Sequence, residues 1–171
     1  MAADAGDDAP APSIDLAATA DYVASVQRDD GLIPWYRDGP ADPWDHVEAA
    51  MGLSVGGRRD AAEAAYRWLA DAQLDDGSWP ATYEGPNPAR NAHRETHHAA
   101  YVATGVWHHY RVTGDAAFLE SMWPTVEAGL DFALDWQVET GEVYWAVAPD
   151  GRPYEDALLT GNSSVYKSVE C

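Results

Sequence analysis

Three times the chain writes the same short phrase. It reads Gln27-Arg-Asp-Asp-Gly31-Leu-Ile-Pro-Trp35, then Gln73-Leu-Asp-Asp-Gly77-Ser-Trp79, then Gln137-Val-Glu-Thr-Gly141-Glu-Val-Tyr-Trp145. Gln always stands four residues before Gly, and Trp follows Gly by two or four. Each copy closes a stretch whose apolar residues recur at helical spacing. A helix stop repeated in this way makes the chain an array of like units, and arrays have few architectures.

Six helical stretches follow from the periodicity. They run from about Ile14 to Gln27 with Ser13 as N-cap, Asp45 to Val55, Asp60 to Leu74, Glu95 to Val112, Pro124 to Val138, and Leu158 to the end at Cys171. Leu16, Tyr22, Val23 and Val26 are the expected buried positions of the first. The third carries Ala62, Ala65, Leu69 and Ala72 on one stripe. The fifth carries Val126, Leu130, Ala133 and Leu134; Asp115 reads as its cap, with Pro124 expected in the first turn of its main body. The fourth, through Ala99 to Trp107, is apolar nearly all round, as in a helix buried on every side. First, third and fifth are therefore expected as outer helices, and second, fourth and sixth as inner ones.

The connections alternate too. Outer-to-inner loops are long, whereas Gly56-Gly57-Arg58 and Thr113-Gly114-Asp115 make tight returns. The long loops gather at one end with the N-termini of the inner helices, where functional residues concentrate. The expected fold is all-α: an (α/α) toroid of helical hairpins with about three of six present. Its expected domain is 14–171, truncated at the C-terminus, behind a disordered acidic tail at 1–13.

Charge narrows the partners. The formal net charge is −19, from 29 acidic and 10 basic residues. Phosphate binding needs a basic patch, so nucleic acid is excluded. The 19 Asp, with one Lys against nine Arg, resemble a halophile's surface. No run of about 18 apolar residues offers a membrane span. The acidic start lacks the basic and apolar regions of a signal peptide, and the lone Cys171 excludes an internal disulfide. The expectation is a cytoplasmic protein, homo-oligomeric if these three hairpins are the whole chain.

The Gln…Gly…Trp phrase resembles the Gln–Trp repeats of terpene cyclase and protein prenyltransferase toroids. Thr113-Gly-Asp115…Phe118-Leu119…Trp123-Pro124 is similar to a hairpin of the six-hairpin glycosidases, the glucoamylase-like barrels. Both resemblances imply an α/α toroid, and they imply different substrates. The prenyltransferases hold zinc with Asp, Cys and His, and here Cys stands only at 171. The Asp-x-Asp-Asp motif of the squalene-type cyclases is absent, as is the paired-Glu loop of the glucoamylases.

Three clusters carry the candidate chemistry. Asp42-Pro-Trp44-Asp45-His46-Val-Glu48 opens the second helix and puts Asp45 and Glu48 on one face beside an indole. That suits a sugar site, and equally suits acidic residues at a helix N-terminus. Asn91-Ala-His93-Arg-Glu95-Thr-His97-His98 opens the fourth. It lacks the His-Glu-x-x-His order of zinc proteases, and a polar cavity rim without metal or cofactor is expected, with Tyr101 on the same face as His97. Thr160-Gly-Asn162-Ser-Ser-Val-Tyr166 opens the sixth, as cap or as hydroxyl-binding group. Eight Trp and nine Tyr against two Phe favour a wet cavity over a dry one.

The leading expectation is a glycosidase-like enzyme acting on an oligosaccharide or other small molecule. Asp45, Glu48 and Glu95 would be its acid/base carboxyls. Trp44, His46, His93, His97, Tyr101, Asn162 and Tyr166 would bind substrate. The alternatives are an isoprenoid enzyme and a non-catalytic binding toroid.

Overall fold

The computed structural model describes residues 14–171; the expected tail at 1–13, with Ser13, lies outside them. Six helices dominate: α1 (Leu16–Val26), α2 (Pro43–Val55), α3 (Arg59–Ala72), α4 (Thr96–Thr113), α5 (Ala116–Leu134) and α6 (Leu159–Val169). Helix α4 packs against α2, α5 and α6, while α2 packs on α1 and α3, and α3 touches α5. The result is an inner row α2–α4–α6 backed by α1, α3 and α5. This is a partial α/α toroid of three hairpins.

Local chemistry sets the helix starts. Asp15, Asp42 and Asp115 cap α1, α2 and α5, accepting from the backbone N–H of Ala18, Asp45 and Phe118 at 2.9–3.0 Å. Each satisfies one of the free donors that a helix N-terminus presents. The Asp115 cap starts α5 at Ala116, so Pro124 lies inside the helix and not in its first turn. It leaves the carbonyl four residues back without a helical donor. Helix α1 departs from expectation as well. Val26 is buried, but Leu16 and Tyr22 are 61% and 59% exposed, because among the described residues α1 packs chiefly on α2.

The repeated phrase has a shared geometry. Gln27 Nε2 donates to Gly31 O and to Ala61 O of α3, both at 2.9 Å. Gln73 Nε2 donates to Gly77 O at 2.9 Å and to Thr125 O of α5 at 3.0 Å. Each glycine has positive φ, and a Cβ there would sit 2.4 Å from Ala64 O and 2.1 Å from Ala128 O. One amide thus closes its own turn and clamps it to the next outer helix, where only glycine fits. Gln137 donates to Gly141 O at 2.7 Å, and nothing lies within 4 Å of a Cβ at Gly141.

The long loops are stitched together by short antiparallel pairs. Strands β1 (Tyr83–Glu84) and β2 (Asn87–Pro88) form a hairpin, and β3 (Arg94–Glu95), β4 (Ala146–Val147) and β5 (Pro153–Tyr154) form a three-stranded patch in which Glu95 faces Ala146. Bridges join Ala41 to Tyr83 and Pro80 to Arg94. All three loops are therefore tied at the end where the inner helices begin. Among the described residues no helix is long and apolar enough to cross a membrane.

Candidate active site

A cavity of about 420 Å³ opens at that end. The N-terminus of α2 contributes Asp42, Trp44 and Asp45; that of α4 contributes Glu95, His97 and His98; that of α6 contributes Thr160 and Gly161. Trp35, Ala81 and Thr82 complete it from the loops. The volume suits a small saccharide.

Asp42 and Asp45 form a pair. Besides capping α2, Asp42 accepts from Trp35 Nε1 at 2.5 Å. Burial, then the Asp42 charge and a hydrogen bond with its carboxyl, raise Asp45 from 3.8 to about 6, with Glu48 adding repulsion. Two carboxyls one helical turn apart favour a retained proton.

Trp44 stacks on Tyr101 at 3.9 Å between ring centres and 6° from parallel. Glu48 pins both: its Oε1 accepts from Trp44 Nε1 at 3.2 Å and from Tyr101 Oη at 3.3 Å. The i,i+4 spacing of Trp44 and Glu48 on α2 makes this contact. Glu48 is exposed beside the aromatic platform and is not part of the cavity lining.

Glu95 is ringed by imidazoles. His93 Nε2 meets its Oε1 at 2.9 Å, and Nε2 of His97 and of His98 lie 3.1 and 3.3 Å from Oε2. The ligand atoms of Glu95, His97 and His98 all fall within 4.8 Å of one another. Burial holds His97 below the usual histidine range, and it drives His98 down to about 3, with His97 and His93 adding repulsion. The two rings are neutral at neutral pH.

Three expected site residues stand elsewhere. His46 is fully buried: its Nδ1 accepts from Ile33 N–H at 3.0 Å, which leaves Nε2 to donate to Ala65 O at 2.9 Å. Burial lowers it to about 4, and it is a satisfied core residue. One step along α2 from Asp45 turns about 100°, onto the stripe of Ala50 and Leu53. Asn162 lies inside α6, where its amide binds both backbone groups of Val143 at 2.7 and 3.0 Å. It fixes the third loop instead of lining the cavity. Tyr166 is 68% exposed on α6, away from the cavity lining.

Asp42, Trp35 and His98 were not expected to line the cavity. For Trp35 a signal existed. Trp79, two residues after its glycine, is buried at 1%, whereas Trp35, four after, is 53% exposed. The longer offset carries the ring out of the core to the cavity.

The comparisons all fall among carbohydrate-active proteins. Residues 55–168 match the profile of the glycosyl hydrolase family 95 catalytic domain. The chain is 46% identical over 153 residues to a protein of Mycolicibacterium hassiacum named MMP endo-(1,4)-3-O-methyl-alpha-D-mannosidase, covering 90% of this chain and 42% of that protein. In structure it resembles the cellobiose 2-epimerase of Bacillus thermoamylovorans, with a TM-score of 0.62 at 19% identity over 88% of this chain and 45% of that one. It also resembles endoglucanase Cel10 of Klebsiella pneumoniae, a family 8 glycosyl hydrolase, with a TM-score of 0.56 at 17% identity over 71% and 40%. The chain thus spans less than half the length of each. The structural likenesses bear on fold alone.

Proposed function

Because this chain belongs to the glycosyl hydrolase family 95 catalytic domain family, we propose that its cavity binds a mannose-containing saccharide and serves cleavage of an α-(1,4) linkage. The similarity to an endo-acting 3-O-methyl-mannosidase supports that substrate class. The observation that carries the chemistry is that Asp42, Asp45 and Glu95 line one cavity, where partial desolvation and the neighbouring Asp42 carboxyl push the exposed Asp45 up to about 6. Glycosidic cleavage uses carboxyls that exchange protons with the leaving oxygen and with the attacking water. A carboxyl that titrates near the working pH does this best.

Each residue then has a part. Asp45 transfers the proton, and Asp42 caps α2 beside it while fixing Trp35. Trp44, backed by Tyr101, offers its face to the apolar side of a sugar ring. Glu48 keeps that platform in place as a positioning residue. Glu95 and its histidines form the polar wall opposite.

The test is turnover of an α-(1,4)-linked 3-O-methylmannose oligosaccharide by the purified protein. D45N is expected to lower kcat about 10²–10⁴-fold, the range for loss of one acid/base group. The pH profile gives the direction of transfer. As a base, Asp45 must be ionised, so the rate climbs to a plateau as pH passes about 6. As an acid it must hold its proton, so the rate falls above about 6. In either case D45N removes that limb. Asp42 and Glu48 face Asp45 from α2, and Glu95, His97 and His98 share the cavity from α4, so their variants shift the limb without abolishing it. A limb that survives D45N unmoved rejects the assignment.

A further inference from the structure

Proton transfer by Asp45 leaves the group at the mouth of α4 without a task. Glu95 occupies the N-cap position of α4 but makes no side-chain capping bond. Its backbone is fixed by pairing with Ala146, and its carboxylate is fixed on one side by His93, at 2.9 Å from Oε1. The other oxygen is approached by two more histidines, and these contacts are unlike the first.

His97 and His98 bring Nε2 to 3.1 and 3.3 Å from Oε2, yet neither makes an aligned N–H···O bond there among the described residues. Among the described residues the Nδ1 atom of His98 is buried without a partner. His98 is only 8% exposed, so a buried imidazole points Nε2 into this cluster with no aligned hydrogen bond at either nitrogen. Buried polar groups are nearly always satisfied, and a bound ion is one explanation of an exception.

The alignment is poor for hydrogen bonds, but the spacing suits coordination. Around a tetrahedral zinc ion with bonds of about 2.0–2.1 Å, neighbouring ligand atoms lie about 3.3 Å apart. Glu95 Oε2 stands at that spacing from both Nε2 atoms, at 3.1 and 3.3 Å, and one ligand atom from each of the three residues falls within 4.8 Å of the others. Two neutral imidazoles and one carboxylate suit a borderline divalent cation. All three residues line the cavity, so the fourth coordination position opens into it. His93 is then the outer residue that orients the carboxylate.

The geometry points to a zinc-class divalent cation site formed by Glu95, His97 and His98, positioned by His93. It stands on the cluster alone, and would hold if the saccharide assignment failed. The experiment is titration of the chelator-stripped protein with Co²⁺ in about 0.15 M salt, which screens the acidic surface. Visible d–d absorption is the readout. One equivalent should bind with the intense bands of a four- or five-coordinate ion, and one equivalent of Zn²⁺ should displace it. E95Q and H98A should lose the bands, and H93Q should weaken binding about 10–100-fold. Glu95 lies at the cavity wall, so E95Q, checked by circular dichroism, carries the test where H98A disturbs packing. No stoichiometric uptake by the unmodified protein overturns the site, as do bands that persist in folded E95Q.

Discussion

Glu48 shows how one residue's place decides its role. Sequence spacing put it on the face of Asp45, and a carboxyl there reads as acid or base. Its partners make it a clamp instead, holding Trp44 and Tyr101 by their polar ends. E48Q keeps an acceptor oxygen and should bind saccharide much as before. E48A frees the platform and should raise KM about tenfold, the effect of roughly one net hydrogen bond, with kcat nearly unchanged. A kcat collapse in E48Q, measured by steady-state kinetics, would instead return Glu48 to the chemistry. At this scale much was legible: Trp44, Asp45, Glu95 and His97 all reach one cavity. His46 was misplaced because its polarity outweighed its position on a buried stripe. Asn162 was misplaced because nothing local announces a side chain that binds Val143 backbone from 19 residues away.

Among the elements, the repeated turn was the most legible feature. A glycine four residues after glutamine needs no tertiary knowledge to mark a helix stop, and α1 and α3 do end at Gln27 and Gln73. What the turn docks onto was hidden, since Ala61 and Thr125 lie 34 and 52 residues from their glutamines. The copies allow a paired test. In G77A, positive φ costs about 1–2 kcal/mol, and the new Cβ also meets Ala128 O at 2.1 Å. In G141A only the φ term applies, because that site is open. Thermal unfolding should show G77A losing at least twice as much Tm as G141A. Equal losses would mean the turn does not clamp α5. Helix α5 shows the opposite lesson. Pro124 looked like the start of its main body, but the helix begins at the Asp115 cap that the sequence also showed and runs through the proline.

In the whole molecule, three hairpins place the N-termini of α2, α4 and α6 around one cavity and stitch their loops above it. That arrangement follows from alternating helix polarity, which the pattern of long and short loops already carried. The substrate did not follow, because the two resemblances agreed on architecture and parted on chemistry; the family match supports the carbohydrate-active one. The central claim is that this cavity is the saccharide site. Its most direct test is the ¹⁵N–¹H spectrum of the tryptophan indoles during titration with the α-(1,4)-linked mannoside proposed above. Trp35 and Trp44 line the cavity, whereas Trp79 is buried in the core. A saccharide bound in this cavity should give saturable shifts of the Trp35 and Trp44 indole signals while Trp79 stays fixed. Saturation that moves other indoles and leaves those two unmoved would contradict it.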